Sequence, residues 1–554
     1  MLELFAGFCL TVAWLVPNHY PPWTSFYNES LAAVALLLFA AASGRRLFKS
    51  NPPDITWVVW LTAVIPLVQW AAGILDFSGD AWVASLYLSG LAVAIATGYI
   101  RQQKNPQGAA ALLSGCALAA ALASSMLALT QALQIGLGIW VVEAGPGMRP
   151  YANLGQPNNL STLIGLALAG LFLLRERRRL SDGATVAALT LLLVGLALAQ
   201  SRTALAFGPI LGLGLWFSRR KGAPIRTSLW VIAGATLAHW VLALALPKLQ
   251  ELAMLTALPS ESVVARGMSS PRFQMWPMLI SALDDSPWQG FGWLQVGAAE
   301  FSVVDKFLPV NELWLHGHNL FIELLVWCGY PLGALLILLI AYWFVTRWIQ
   351  VRTIEGLTAA MTISVFSLHA LLELPHHYAY FLIPIGLWVG AIEFEIRGST
   401  RLSGKWTSLP TALALVLWVM LSIQYIKVEE DFRRMRFETL RIGPAHVGPG
   451  SPDAPLLSSL TEFLEMTRTP IKRGMSQREL DRMEAVVKRY PYTLTLTRFA
   501  AACALNGRQS EARATLLKLR NMYDEPTYLA AKRGLYERAE DGSVEFLELN
   551  KSLP

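Results

Sequence analysis

Long apolar runs separated by short polar segments make up most of the first 426 residues of the chain. A helix of about 20 apolar residues spans the roughly 30 Å of hydrocarbon in a bilayer. The pattern therefore predicts about thirteen membrane-spanning helices joined by loops. The predicted spans lie near residues 2–17, 30–44, 55–75, 81–100, 109–141, 157–174, 184–200, 203–218, 228–246, 319–346, 355–374, 379–396 and 408–426.

The pattern changes after residue 427, where charged and polar side chains become frequent. We predict a transmembrane domain at 1–427 and a soluble helical domain at 428–554. Within the second domain, residues 493–519 carry small residues and leucines at helical spacing on both sides of Gly507. This segment resembles a helix-turn-helix repeat of the tetratricopeptide kind. A peptide-binding groove and a simple helical cap both fit the single copy.

Composition narrows the class of protein. Of the 554 residues, 54% are hydrophobic and only 15% are charged, and the mean hydropathy is +0.44. These values exclude a soluble globular protein and indicate an all-α polytopic membrane protein. The net charge of +7 is divided between the loops and the carboxy-terminal domain at 428–554, called the tail below. It therefore does not indicate nucleic-acid binding. Three of the four cysteines fall in predicted spans, so no disulfide framework is expected.

Basic residues predict the orientation of the chain, because short loops rich in lysine and arginine stay in the cytoplasm. The amino terminus lacks a basic region and a cleavage motif, so we expect the first run to be a retained span that starts inside. An odd number of spans then places the tail outside. The loops expected inside carry Arg45, Arg46, Lys49, Arg101, Lys104, Arg175, Arg177, Arg178, Arg179, Arg219, Arg220, Lys221, Arg226, Arg347, Arg352, Arg397, Arg401 and Lys405.

Arg202 is the most informative single residue, because it lies between two apolar runs at 184–200 and 203–217. A guanidinium group is too costly to leave alone in hydrocarbon. We therefore predict that Arg202 lies at a tight extracytoplasmic turn and has an anionic partner, which could be the substrate. Arg149, Arg266 and Arg272 also lie in loops expected outside, although basic residues are more frequent in cytoplasmic loops.

The loop at 141–159 ends with the sequence MRPYANLGQPNN before the sixth span. Asn158 or Asn159, with Gln156 beside it, fits an ordinary helix cap. The same helix start could bind a phosphate, since its free N–H groups and dipole favour an anion. The pattern leaves both interpretations open.

The largest loop covers about seventy residues, 247–318, and contains the tryptophan-rich sequence SPWQGFGW at 286–293. A loop of this length is more typical of a folded lid than of a connector. It ends in HGHN at 316–319, where Asn319 is placed to cap the tenth span. The positive helix end disfavours an imidazolium at His318, so a neutral ring there could accept a proton. A histidine at the headgroup boundary is the alternative, which His316 and the neighbouring arginines make less favoured.

A short loop at 372–381 adds Glu373, His376, His377 and Tyr378 to the expected outer face. Adjacent histidines are often only interfacial, and the chain has neither the HExxH nor the CxxC spacing of a zinc site. Asp284 and Asp285 could bind a divalent cation, yet neighbouring carboxylates before SPW also fit a solvated turn. We expect no cofactor and no metal.

Taken together, these segments resemble the O-antigen ligase and polymerase superfamily, and more closely its bacterial protein O-oligosaccharyltransferases of the PglL type. The segments are HYPPW at 19–23, RPYANLGQPNN at 149–159, SRTA at 201–204, RFQMW at 272–276, HGHN with LFIELLVWCG at 316–329, and ELPHHYAYFLIPIG at 373–386. The resemblance implies a GT-C-like membrane domain followed by a periplasmic tail. It extends over roughly residues 1–430 and more loosely over the tail.

The resemblance also implies an enzyme of the bacterial inner membrane with a periplasmic active site. Its donor would be an oligosaccharide on undecaprenyl diphosphate, and its acceptor a serine or threonine of an exported protein such as a pilin. His318 would be the base, and Arg202 and Arg272, with Arg266, would contact the diphosphate. The reaction would be inverting and independent of metal. Weaker substrate contacts are expected from Gln156, Asn158, Asn319, Arg149, His316 and His377.

The chemistry of these side chains agrees with that implication. Arginine binds phosphate oxygens through a planar, permanently charged fork, so two or three arginines could replace a divalent ion as the diphosphate leaves. A histidine base contributes about 10²- to 10⁴-fold to a rate. The donor brings its own activated bond, so no nucleotide is needed.

Other functions share parts of this pattern. A lipid A core ligase or a Wzy-like polymerase uses the same donor and differs in its acceptor. A transporter would have about a dozen spans but would place its polar residues near the bilayer midplane. Here they cluster at one expected face, with Glu323 and His369 as the main exceptions. A non-catalytic assembly scaffold is the remaining alternative.

Overall fold

The structure is a computed structural model that describes residues 1–44, 47, 51–145, 147–252, 272–398, 408–443, 450–540 and 544–554. Within these residues all regular structure is helical. Helices α1 to α9 precede the largest loop. They are α1 Leu2–Ala13, α2 Phe26–Ser43, α3 Asp54–Ala71, α4 Ser78–Lys104, α5 Pro106–Ala132, α6 Pro157–Glu176, α7 Asp182–Ala199, α8 Phe207–Arg220 and α9 Leu229–Leu252.

Twelve more helices follow the undescribed part of that loop. They are α10 Arg272–Ala282, α11 Val296–Val303, α12 Leu320–Gln350, α13 Ile354–Ala370, α14 Ala379–Arg397, α15 Ser408–Thr439, α16 Ser458–Arg468, α17 Gln477–Arg489, α18 Thr493–Leu505, α19 Gln509–Met522, α20 Glu525–Glu540 and α21 Val544–Ser552. The predicted all-helical class is therefore confirmed.

Every predicted span coincides with a helix, and ten of the described helices are long and apolar enough to cross a membrane. The other three, α1, α8 and α13, have 12, 14 and 17 residues. At 1.5 Å per residue they are short for a full crossing. The chain is thus a multi-pass membrane protein, and the count of thirteen spans stays a prediction.

Three predicted boundaries were wrong. The fifth span was expected to reach residue 141, but α5 ends at Ala132, and Gln134 and Gly138 adopt positive φ angles of 55° and 60°. An apolar sequence continues there although the helical backbone does not. In contrast, α9 and α15 extend past their predicted ends at residues 246 and 426, to Leu252 and Thr439. Charged residues continue α15 beyond its apolar part.

Close contacts divide the chain into two compact units. The first comprises Met1–Thr62, Tyr87–Ser270 and Ile340–Ala414. In it, α6 packs against α5, α7 and α13. Gly165 lets α6 approach its neighbours, because a Cβ there would lie 2.6 Å from the Val365 side chain and 2.9 Å from Phe207. Small residues at helix contacts are typical of membrane bundles.

The second unit comprises Ala63–Leu86, Pro271–Leu339 and Leu415–Pro554. It includes residues 272–318 of the largest loop, the first part of α12 and the tail helices α16 to α21. The turn between α18 and α19 contains Gly507 with a φ of 77°, and Ala500, Ala501, Leu516 and Leu519 are fully buried where these helices pack. The predicted helical pair is therefore present, while its tetratricopeptide character stays a prediction.

Helix α12 is broken at Gly329, which has a φ of 71°. The tryptophan-rich segment at 286–293 packs against this break. The backbone N–H groups of Phe291 and Gly292 donate to the carbonyls of Val326 and Trp327 at 2.8 and 3.2 Å, and the N–H of Tyr330 donates to the Pro287 carbonyl at 2.8 Å. These bonds satisfy backbone groups that the break leaves outside the helix.

Candidate active site

The first turn of α6 carries two of the predicted polar residues, and neither caps the helix. Gln156 occupies the cap position without a capping bond, and Pro157 begins the helix. The Asn158 amide instead donates to Glu373 Oε1 at 2.7 Å, and the Asn159 amide donates to Tyr380 Oη at 3.3 Å. The capping interpretation is therefore wrong. Proline at the first position is already suited to the helix and has no N–H to satisfy.

The end of α13 and the loop after it lie against this helix start. Glu373 is buried, and its N–H donates to the His369 carbonyl at 2.7 Å. The His369 ring in turn bonds the Thr162 hydroxyl of α6 at 2.5 Å. The structure thus brings Asn158 and Glu373 together. Thr162 was missed because it lies inside an apolar run and gave no signal in the sequence.

Aromatic and histidine side chains complete this loop. His377 is half-buried in the short 3-10 turn Pro375–His377, and its ring centroid lies 4.5 Å from that of His376. Burial raises the pKa of Tyr378 to about 12, so its hydroxyl stays protonated and can donate a hydrogen bond.

Arg202 lies at the turn that the sequence predicts. Helix α7 ends at Ala199, Gln200 adopts a φ of 48°, and Arg202 directly precedes the 3-10 turn Thr203–Ala206. Arg149 reaches the same turn, because its Nη1 donates to the Gln200 carbonyl at 3.3 Å. Arg149 therefore contacts the backbone of the turn that carries Arg202, and α6 packs against the 3-10 turn that follows.

Two buried amides order the loop that carries Arg149. Gln131 accepts hydrogen bonds from the N–H groups of Tyr151 and Ala152 at 3.0 and 2.8 Å. Asn153 donates to the carbonyls of Leu15 and Trp140 at 2.8 and 2.9 Å. These long-range bonds fix a segment with little regular secondary structure, so Arg149 is held by a defined backbone.

In the second unit, the HGHN segment is held on both sides of Gly317. Trp276 Nε1 donates to the Gly317 carbonyl at 2.9 Å, and the Gly317 N–H donates to Glu323 Oε1 at 2.8 Å. Glu323 is fully buried. His316 and His318 flank this glycine and are half-buried.

Asn319 caps α12, as the sequence predicts. Its Oδ1 accepts from the N–H groups of Phe321 and Ile322 at 2.9 and 3.3 Å. His318, one residue earlier, has a φ of 48°, a left-handed conformation that few residues other than glycine adopt. The surrounding contacts must therefore hold the backbone of His318 in place.

Helix α10 carries both Arg272 and Trp276, the residue that bonds Gly317 of the HGHN segment. Arg272 and Trp276 are four residues apart, so they lie on one face of the helix. Trp276 contacts Gly317, and Arg272 begins the same helix one turn earlier. Arg266 lies outside the described residues.

The adjacent carboxylates Asp284 and Asp285 lie in the exposed turn after α10. Asp285 forms an ion pair with Lys306 at 3.3 Å. This geometry fits the solvated-turn interpretation. Whether a divalent cation binds there stays a prediction.

Two family models match the chain. One is described as an O-antigen ligase and matches residues 186–337, a range that includes Arg202, Arg272 and His318. The other is described as the carboxy-terminal part of a virulence factor membrane-bound polymerase and matches residues 357–534. That range includes Glu373, His377 and most of the tail.

Two curated relatives come from Acinetobacter baylyi (strain ATCC 33305 / BD413 / ADP1). A general O-oligosaccharyltransferase is 28% identical over 538 residues, which cover 94% of this chain and 92% of the relative. A ComP-specific O-oligosaccharyltransferase is 26% identical over 389 residues, 70% of each chain. The chain is therefore similar to members of the O-antigen ligase and polymerase superfamily, and along nearly its whole length to an O-oligosaccharyltransferase.

Proposed function

We propose that this enzyme transfers an oligosaccharide en bloc from undecaprenyl diphosphate to a serine or threonine hydroxyl of an exported protein such as a pilin. The acceptor oxygen forms a bond to the anomeric carbon of the first sugar. The bond from that carbon to the diphosphate oxygen breaks, and undecaprenyl diphosphate leaves with the electron pair. Similarity to two O-oligosaccharyltransferases, one along nearly the whole chain, supports this proposal.

His318 takes the proton of the acceptor hydroxyl in this proposal. The observation that supports it most is the fixed position of the HGHN backbone, which Trp276 and Glu323 hold from both sides of Gly317. A general base must be held within hydrogen-bond reach of the proton that it removes. A residue that its neighbours hold in the left-handed backbone conformation is typical of a functional site.

The arginines stabilise the negative charge of the leaving diphosphate. Arg272 on α10 and Arg202 at the turn after α7, together with Arg266, supply the donors for the diphosphate, and Arg149 adds a weaker substrate contact. Their permanent charge stabilises the negative charge that develops on the departing oxygen. Gln156, Asn158, Asn319, His316 and His377 contribute weaker contacts to sugar or phosphate, and the mechanism needs no metal ion.

Replacement of His318 by alanine tests the base. We expect H318A to lose transfer by at least 10²-fold while its amount in the membrane stays normal, as measured by intact-mass analysis of the acceptor and by immunoblot. H446A changes a histidine that is not among the predicted site residues; it is the control and should keep wild-type activity. Normal glycosylation by H318A would refute the assignment.

Activity that survives a chelator would support the metal-free mechanism.

An O-antigen ligase or a Wzy-like polymerase remains a second candidate, because one matching family model carries the ligase description. The acceptor separates the candidates. We expect pilin from cells that have this gene to carry a glycan mass that is missing after deletion. A change confined to the lipopolysaccharide or to polymer length would instead favour the second candidate.

A further inference from the structure

The tail helices contact the short helix α11 of the largest loop through several directed bonds. Lys518 on α19 donates to the Phe301 carbonyl at 2.6 Å, and its ammonium lies 4.4 Å from the centre of the Phe301 ring. The Asn521 amide donates to the Val304 carbonyl at 3.2 Å. The Asn521 carbonyl accepts from the N–H groups of Val310 and Asn311 at 2.9 and 3.3 Å.

A second group of contacts fixes the beginning of α11. Arg489 on α17 donates to Asp80 Oδ2 at 2.8 Å, and Gln295, directly before α11, donates to the same oxygen at 3.0 Å. Ser459 on α16 donates to the other carboxylate oxygen at 3.1 Å. Asp80 is buried, so this charge is satisfied only while tail and loop stay together.

The same helix also supports the candidate site. Glu300, which is fully buried, accepts a hydrogen bond from the Trp314 N–H at 2.8 Å through Oε2. A Cβ on Gly297 would lie 3.0 Å from the Leu315 side chain and 3.4 Å from Pro491 of the tail. Helix α10, which carries Arg272, packs against α11 as well.

We propose that the tail positions His318 and Arg272 through α11, so that it controls the transfer step itself. The inference rests on the proposed function, because it takes those two residues as catalytic and donor-binding. Lys518, Asn521 and Glu300 are then positioning residues. They touch no substrate, yet a displacement of about 1 Å at a reacting group can reduce a rate by 10²-fold.

The test compares K518M with K551M in the purified full-length protein. Both variants remove one lysine charge from the tail, but Lys551 is exposed, whereas Lys518 donates to the Phe301 carbonyl of α11. The donor is an undecaprenyl-diphosphate oligosaccharide, and the acceptors are a folded pilin and a short peptide that contains its acceptor serine. We expect K518M to lower kcat by about tenfold for both acceptors with unchanged KM, whereas K551M behaves as wild type.

Glu300 provides a second comparison. E300Q keeps an oxygen that can accept the Trp314 N–H, whereas E300A does not, so we expect E300Q to restore most of the kcat that E300A loses. A higher KM of K518M for the folded pilin alone would overturn the inference and assign the tail to acceptor capture. Equal behaviour of K518M and K551M would overturn it too.

Hydrogen exchange separates failure of this inference from failure of the proposed function. We expect K518M to speed amide exchange at residues 314–318, and K551M to leave it unchanged. This measurement needs no substrate, so it still decides the inference if the wild-type protein transfers no glycan to pilin. Unchanged exchange in K518M would overturn it.

Discussion

The turn at Arg202 illustrates how a single charged residue can be placed from sequence. A guanidinium between two apolar runs is too costly to bury in hydrocarbon, so a turn was the expected place for it, and the helices on either side end and begin there. The neighbour Arg149 could not be predicted, because its bond to the Gln200 carbonyl joins residues 51 positions apart. The spacing of apolar residues gives no information about contacts between residues so far apart in the sequence.

Replacement of Arg202 by lysine tests whether the planar fork matters. Lysine keeps the positive charge but cannot contact two phosphate oxygens in one plane. We therefore expect R202K to lower transfer by about tenfold or more, since a charge-assisted hydrogen bond contributes about 1.5–3 kcal/mol. The measurement is kcat/KM for the lipid-linked donor. R178K, in a loop expected on the cytoplasmic side, is the control, and equal activity of both variants would exclude a role for the fork.

Glu300 gives a prediction about pH. Burial raises the pKa of its carboxyl to about 8, whereas glutamate in an unfolded chain titrates near about 4.3. The folded state holds the proton more tightly, so the stabilising contribution of the protonated form is complete below about pH 4.3 and is lost as pH rises through about 8. The nearby Glu312 carboxylate acts in the same direction.

The variant E300Q should lose this dependence. We expect its thermal unfolding temperature to fall less than that of wild type between pH 5 and about pH 8, because glutamine does not titrate. The comparison uses purified protein in one detergent at several pH values. E312Q controls for the neighbouring carboxylate, and parallel curves for E300Q and wild type would contradict the prediction.

At the scale of elements, every predicted span coincides with a helix, but the apolar runs did not locate every helix end. Helix α5 ends at Ala132, and Gln134 and Gly138 beyond it adopt positive φ angles, which an apolar sequence does not reveal. Helix α6 shows the same limit at the site: its start was placed correctly, yet the Asn158 contact with Glu373 depends on how α6 packs against residues 215 positions away. Tertiary packing decides such pairs.

The contact between α4 and α14 allows a prediction about helix packing. A Cβ on Gly98 would clash with the Leu387 carbonyl oxygen, and one on Gly390 with the Ile95 carbonyl oxygen, whereas a Cβ on Gly90 meets nothing within 4 Å. We expect G98L to reduce the yield of monodisperse protein severalfold in size-exclusion chromatography, because neither backbone can yield. G90L, on the same helix, is the control and should stay near the wild-type yield.

At the scale of the whole molecule, the chain's orientation remains a prediction from charge alone. We expect cysteines introduced at positions 202, 272 and 318 to react with a membrane-impermeant maleimide added to spheroplasts, because all three belong to loops expected outside. A cysteine at position 178 should react only after the membrane is permeabilised. Labelling of residues 202 and 318 from opposite sides would refute both the topology and the proposed mechanism.

The broken helix α12 has a consequence for biosynthesis. The carbonyls of residues 326 and 327, which the break leaves outside the helix, accept from Phe291 and Gly292, which a ribosome makes 35 residues earlier. A backbone gap is costly in lipid until such partners arrive. The chain order supplies those partners before the helix that needs them has been synthesised, so α12 can be accommodated as soon as it enters the bilayer.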